Sequence, residues 1–121
     1  MSNEVLFLEY PKCSTCKKAK KWLDEHCVSY TVRHIVEDNP SADELRAWHE
    51  QSGLPLKRFF NTSGMLYREM ELSKKLPDMD EASQYALLAS DGMLVKRPLL
   101  VTAATAIPGF KEDAWMRALG L

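Results

Sequence analysis

Two cysteines separated by two residues, Cys13 and Cys16, carry the most distinctive chemistry in this sequence. This spacing brings two thiols within disulfide distance when the second lies one helical turn beyond the first. One thiol then acts as the exposed nucleophile, and the other resolves the mixed disulfide formed on it. We therefore predict thiol–disulfide chemistry, with Cys13 as the nucleophile and Cys16 as the resolving thiol.

The segments around the pair predict a strand, a helix and a second strand. Residues 4–9 form an apolar run bounded by Pro11, which is typical of a buried strand. Apolar side chains then recur every three or four residues to about residue 27, which indicates an amphipathic helix. Residues 29–35 alternate and are rich in β-branched side chains. This order predicts two parallel strands joined by a right-handed crossover.

The helix places Cys13 where a thiolate is favoured. Its first backbone N–H groups lack helical partners, and the positive end of the helix dipole points toward the sulfur. Lys12, Lys17 and Lys18 add positive charge nearby. The same N–H groups can bind a tetrahedral oxyanion such as phosphate or arsenate. We therefore expect Lys12, Ser14 and Thr15 to belong to an anion site.

Two other interpretations of the cysteine pair remain open at this stage. A lone Cys-x-x-Cys can be half of a zinc site, which His26, Cys27, His34 or His49 would have to complete. No second Cys-x-x-Cys and no His-x-x-x-His is present, so we expect no metal. The pair can also be two inert core thiols, but its position between a strand and a helix favours redox use. Cys27, on the apolar helix face, is expected to be an inert core thiol.

A second group of interest is Lys96-Arg97-Pro98, which precedes the apolar residues Leu99 and Leu100. Proline is tolerated at the first position of a strand, and a cis peptide bond before it would be a turn feature. The planar guanidinium of Arg97 matches an oxyanion in shape and charge. A solvated charge before the strand is the alternative, and both interpretations remain open from the residues alone.

The rest of the chain predicts an α/β fold with a mixed sheet and a helical insert over about residues 41–90. Within the insert, Ser41 and Glu44 form a capping box, and Asp80 caps a helix. Other signals are a helix end before Gly53, a turn at residues 61–64, a helix from Glu81 to about Ser90, strands near 99–102 and 105–107, and a helix over 111–119.

Bulk properties limit the classes of function. The chain has 121 residues and a formal net charge of -1, which fits one domain, residues 1–121, and gives no broad surface for nucleic acid. No apolar run approaches the ~18 residues that span a bilayer. Glu4 stands where a secretory signal needs a basic start. We expect a cytoplasmic monomer that binds neither membranes nor nucleic acid directly.

Four segments together resemble the arsenate-reductase-like family, which includes the Spx-type redox regulators. They are Tyr10–Cys16, Phe60–Gly64, Lys96–Leu99 and Gly109–Lys111. The resemblance covers essentially the whole chain and implies a thioredoxin-like (glutaredoxin-like) fold with a mixed four-stranded sheet. It also implies Cys13 as the nucleophile and Arg97, before a cis Pro98, as an anion ligand. No cofactor is implied, because electrons come from glutathione, glutaredoxin or thioredoxin.

Two branches of this family imply different functions. The arsenate reductases are similar at Cys13 and Arg97, usually lack the second cysteine, and hold arsenate with further arginines. At those positions this chain has Asn61, which we retain as an anion-binding candidate, and residues 107–109. The cations that could replace those arginines are Arg58, Arg68, Lys96 and Lys111. The Spx-type regulators use the Cys-x-x-Cys as a disulfide switch and bind the α-subunit of RNA polymerase.

The chain resembles a short Cys-x-x-Cys branch between these two. We favour an enzyme that acts on a small oxyanion or a disulfide, with a redox-sensing regulator as the alternative.

Overall fold

The computed structural model describes residues 4–121 and contains a four-stranded sheet in the order β2-β1-β3-β4. The central strand β1 pairs parallel with β2 and antiparallel with β3, and β3 pairs antiparallel with β4. The strands are β1 Leu6–Glu9, β2 Thr31–His34, β3 Leu99–Val101 and β4 Ala106–Pro108. This sheet confirms the predicted mixed architecture, although β1, β2 and β3 are shorter than their sequence patterns and β4 lies one residue later than predicted.

Six α-helices surround the sheet in the described part of the chain, and four of them lie between β2 and β3. They are α1 Ser14–Glu25, α2 Ala42–Ser52, α3 Met65–Glu69, α4 Leu72–Lys75, α5 Glu81–Ser90 and α6 Glu112–Leu119. Short 3-10 helices occupy Leu56–Phe59, Leu76–Asp78 and Gly92–Leu94. The helical insert is therefore confirmed. The capping box of α2 and the Asp80 cap of α5 are both present.

The two faces of the sheet carry separate hydrophobic cores. Because side chains alternate along a strand, neighbouring residues of β1 enter opposite cores. Leu8 packs with the insert, where Leu45, Phe59 and Leu88 are buried. Phe7 packs on the other face, with Ala19 and Leu23 of α1 and Trp115 of α6. By the same alternation, Glu9 lies on the α1 face.

The expectation that Cys27 is a core thiol is wrong. Helix α1 ends at Glu25, and Cys27 is exposed with a φ of +56°. Its N–H donates to the carbonyl oxygen of Asp24 at 3.1 Å, so the chain has already turned toward β2. The apolar spacing in the sequence continues to Cys27, but the helix ends at Glu25. A residue beyond the helix end no longer lies on the apolar face that the spacing predicts.

One bidentate ion pair ties β2 to the insert. Arg33 donates to both carboxylate oxygens of Glu44, at 2.6 Å and 2.8 Å. Its remaining donors reach the carbonyl oxygens of Asp38 and Asn39. The hydrogen bonds from Arg33 lower the pKa of Glu44 from its ordinary value of 4.5 to about 2. The pair therefore stabilises the fold most when Glu44 is ionised.

We predict that Glu44→Gln lowers the free energy of unfolding by about 1 kcal/mol at neutral pH, a small value because solvent screens the partly exposed carboxylate. The loss should be complete above about pH 4.5 and should fade as the pH falls toward 2, where Glu44 is protonated in the wild type as well. Denaturant unfolding across this range measures it. The control, Glu50→Gln, breaks an exposed pair with Arg46. Equal effects of both variants at neutral pH would contradict the prediction.

Candidate functional site: a dithiol at the start of α1

Cys13 is the N-cap residue of α1. Its backbone is extended, with φ −84° and ψ 121°, and its N–H donates to the carbonyl oxygen of Tyr10 at 2.9 Å. Its Sγ accepts from the backbone N–H of Cys16 at 3.4 Å. A side-chain acceptor at this position satisfies a helix N–H that lacks a helical partner. The hydrogen bond holds the Cys13 sulfur at the first turn of α1.

The second thiol lies in a different environment. Cys16 has no exposed surface, whereas Cys13 is half-buried. Burial raises the pKa of the Cys16 thiol to about 12, the proximity of Cys13 and Glu9 raises it further, and the backbone N–H of Tyr10 opposes this. Cys16 therefore keeps its proton at neutral pH. The pair combines an accessible sulfur with a protonated, solvent-excluded one.

A cleft of about 480 Å³ opens beside Cys13. Three of the predicted site residues, Thr15, Asn61 and Arg97, line it together with Cys13. Asn61 is almost fully buried, and its N–H donates to the carbonyl oxygen of Leu94 at 2.8 Å. A Cβ at Gly64 would come within 2.6 Å of the Asn61 Nδ2 atom, so the turn at residues 61–64 requires glycine there.

Strand pairing brings Arg97 to this cleft. Leu8 of β1 pairs with Leu99 of antiparallel β3. Tyr10, two residues after Leu8, is therefore a neighbour of Arg97, two residues before Leu99. The Arg97 guanidinium lies 5.2 Å from the centre of the Tyr10 ring, and its Nη1 donates to the carbonyl oxygen of Met93 at 3.1 Å. The Arg97–Pro98 peptide bond is cis. Among residues 4–121 no carboxylate pairs with Arg97.

A second depression, of about 360 Å³, lies on the other side of Arg97. We call it the basic trough, because Arg58, Lys96, Arg97 and Lys111 all line it and none makes an ion pair within the described residues. The trough also contains Thr15, Pro108, Gly109 and Phe110. Unpaired cations at such density attract an anion.

The other predicted site residues lie outside both cavities. Lys12, Ser14 and Pro98 do not line the cleft or the basic trough. Arg68, a candidate substitute cation, instead points toward the carbonyl oxygen of Ser63, at 3.3 Å.

Sequence reasoning missed the apolar wall of the cleft, which Met65, Leu66 and Met93 form. Met65 is 73% exposed, and no local pattern marks it as a site residue.

The three histidines have structural partners. His26 Nδ1 lies 2.8 Å from the Trp22 carbonyl oxygen, and His49 Nδ1 lies 2.6 Å from the Tyr85 hydroxyl. His34 Nδ1 accepts from two backbone N–H groups, at 3.0 Å and 3.1 Å. Within residues 4–121, no three His, Cys, Asp or Glu side chains are grouped to hold a metal. In the same residues no helix has the length and apolarity to cross a bilayer.

The fold and the adjacent cysteines define a thioredoxin-like protein of the Cys-x-x-Cys type. The model of the ArsC family matches residues 8–118. YusI, an uncharacterized protein of Bacillus subtilis, is 58% identical over 109 residues, which cover 90% of this chain and 92% of YusI. A crystal structure of an ArsC-family-related protein from Bacteroides fragilis superimposes with a TM-score of 0.92 at 58% identity, covering 94% and 96% of the two chains. The chain therefore belongs to the ArsC family.

A more distant relative carries a functional name. The global transcriptional regulator Spx of Staphylococcus haemolyticus is 28% identical over 116 residues, which cover 95% of this chain and 86% of Spx. The chain is thus similar to a transcriptional regulator as well as to ArsC proteins.

We predict that the three thiols of the native protein alkylate in a fixed order. Cys13 should react with iodoacetamide faster than the more exposed Cys27 at or below neutral pH, because Cys13 accepts a helix N–H and Cys27 does not. Cys16 should react only after unfolding, since it is buried and protonated. Peptide mass spectrometry after timed quenching measures the order. Faster labelling of Cys16 than of Cys27 would contradict the assignment.

Proposed function

We propose that this protein is a thiol–disulfide oxidoreductase of the arsenate-reductase type, with Cys13 as the nucleophile and Cys16 as the resolving thiol. The observation that carries the proposal is the asymmetry of the pair: an accessible, amide-capped sulfur stands next to a buried, protonated thiol. Thiol exchange needs such a division between attack and resolution. The proposal also requires a compartment that keeps thiols reduced, which favours the cytoplasm.

With arsenate as the substrate, two electrons pass from the dithiol to arsenic. The Cys13 thiolate attacks the arsenic atom and displaces one oxygen as water, which forms a sulfur–arsenic bond. Cys16 then attacks the Cys13 sulfur, the electron pair of that bond stays on arsenic as arsenite, and a Cys13–Cys16 disulfide forms. An external thiol, glutathione or a reduced glutaredoxin or thioredoxin, reduces this disulfide. No resident cofactor takes part.

The charge of the site supports an anionic substrate. Arg97 and the backbone N–H groups of Ser14 and Thr15 are available for the negative charge that develops on the oxyanion, whereas the Cys16 N–H already donates to the Cys13 sulfur. Lys96 lines both the cleft and the basic trough, and Arg58 and Lys111 complete the trough. These cations supply the charge that the arsenate reductases draw from further arginines. They also suit the carboxylates of glutathione.

The similarity to Spx supports a second function. In this alternative the Cys13–Cys16 disulfide is a sensor, and its formation alters the surface that meets the α-subunit of RNA polymerase. The match to Spx extends over 95% of this chain, so it includes the cysteine turn and the insert. The exposed Met65 beside Cys13 is the apolar group that such a partner would cover.

We predict that arsenate-dependent NADPH oxidation, coupled through glutathione and glutaredoxin or through thioredoxin, is lost in Cys13→Ser. In Cys16→Ser a mixed intermediate should accumulate on Cys13, because nothing resolves it. Cys27→Ser is the matched control and should keep the wild-type rate, since Cys27 is exposed and outside both cavities. Absence of turnover with every reductant, together with recovery of RNA polymerase in a pull-down, would favour the regulator instead.

We also predict that Arg97→Ala lowers kcat/KM for the oxyanion by about 10²-fold or more, since removal of one donor to developing charge costs ~3 kcal/mol. Arg97→Lys should recover only part of the loss, because an ammonium cannot bind in a bidentate manner. The control is Arg68→Ala, a nearby exposed arginine outside both cavities. Steady-state kinetics with confirmation of folding by circular dichroism measures both. Equal activity of the Arg97 and Arg68 variants would rule out Arg97 as an anion ligand.

A further inference from the structure

A buried carboxylate lies at the end of β1, on the face that packs against α1, and takes no part in the proposed reduction steps. Glu9 is the last residue of β1, and only 8% of its surface is exposed. Its Oε2 atom is buried and has no hydrogen-bond partner among the described residues. The Lys20 ammonium is 4.0 Å away, too far for a hydrogen bond. A buried carboxylate oxygen without a hydrogen bond costs free energy, so its presence calls for a reason.

The alternation of β1 places Glu9 on the face of the sheet that α1 covers, which is also the side on which Cys16 is buried. Phe7, two residues earlier, packs against Ala19 and Leu23 of α1, and Glu9 shares that face. Cys16 lies one turn before Ala19 and Lys20 on the same side of α1 and is fully buried there. The salt-bridge approach of Lys20 to Glu9 fixes the carboxylate against this first part of the helix.

We propose that Glu9 takes up the proton that Cys16 releases when it resolves a mixed disulfide on Cys13. The inference rests on the proposed function. In this step a Cys13–Cys16 bond forms, the bond between Cys13 and the bound sulfur breaks, and the electron pair leaves on the departing thiolate. The Cys16 proton moves to the Glu9 carboxylate and then to solvent. When the disulfide is reduced, the transfer runs in the opposite direction.

The electrostatics of the pair fit this role. Burial raises the pKa of Cys16 most, and Cys13 and a negative Glu9 raise it further, so the proton stays on sulfur in the resting state. Transfer of that proton to Glu9 removes the charge that opposes the new thiolate. The other charged or titratable groups around Glu9 are Lys20 on α1 and Tyr30 and His34 on the β2 side. The pKa of Tyr30 is raised to about 12 by burial and by Asp24, so Tyr30 stays neutral.

The test follows the two attacks separately. The aromatic disulfide dithiodipyridine releases one thiopyridone when Cys13 attacks it and a second when Cys16 resolves the product. All variants carry Cys27→Ser, which removes the exposed third thiol. In Glu9→Gln, we expect the second release to slow by about 10²-fold or more near neutral pH, the usual range for general-base catalysis. The first release should stay within about twofold of wild type.

The pH profile separates proton transfer from a structural effect. The deficit of Glu9→Gln should shrink as the pH rises, because solvent hydroxide replaces the missing base. Glu9→Asp should restore part of the rate, and it also serves as the test variant if Glu9→Gln does not fold. The matched control is Glu25→Gln, an exposed carboxylate at the end of α1.

Three results would be decisive against the inference or its basis. Equal second-phase rates in Glu9→Gln and wild type at every pH would overturn the role of Glu9. A slowing by the same factor at all pH values, accompanied by a slower first phase, would assign Glu9 a structural role and also overturn it. Absence of the second release in the wild type would instead refute Cys16 as the resolving thiol, and with it the proposed function.

Discussion

The site depends on the turn through which β1 passes into α1. The N–H of Cys13 donates to the Tyr10 carbonyl oxygen, and the Cys13 sulfur accepts the N–H of Cys16. The strand before this turn is held from both sides, since β1 pairs with β2 and β3, and Phe7 and Leu8 are fully buried in different cores. The sulfur therefore has a fixed position relative to the sheet, and its hydrogen bond is available before any substrate binds. Preorganisation of this kind is what charge stabilisation in a reaction requires.

The same strand places opposite charges on the two sides of the sheet near the two thiols. Its register with β3 places Arg97 over the Tyr10 ring, on the side where Cys13 is accessible. Its alternation places Glu9 on the α1 side, where Cys16 is buried. In the proposed function, a cation thus shares the cleft with the nucleophilic sulfur, and a carboxylate lies on the side of the sheet where the resolving thiol is buried. The positions of the cation and of the carboxylate both follow from the register and the side-chain alternation of β1.

Local patterns in the sequence predict most of this architecture, whereas the features that tertiary packing fixes are not predicted. The capping box at Ser41 and the Asp80 cap were readable because each depends on residues three positions apart. The short helices between residues 56 and 78 were not predicted, because they are fixed by tertiary packing of residues such as Leu72 and Leu76 rather than by their own periodicity. The prediction that Cys27 is buried was wrong for a related reason, since the spacing of apolar residues alone does not show where a helix ends.

The candidate site residues also divide into those that the sequence reveals and those that it does not. The cysteines and Arg97 stand out by type and motif, whereas Glu9 is hidden within an apolar run; its signal is a charged residue at the end of a buried strand, directly before the cysteine turn. Enzyme and regulator both need an accessible thiol that forms a disulfide with a buried one, so the turn itself does not separate them. The distinction lies in the surroundings of the turn. The cations of the basic trough are suited to bind a small anion, and the exposed Met65 is suited to pack against a protein surface. Within residues 4–121 the cations without an ion pair outnumber the exposed apolar groups beside Cys13, and on this balance we propose the enzyme before the regulator.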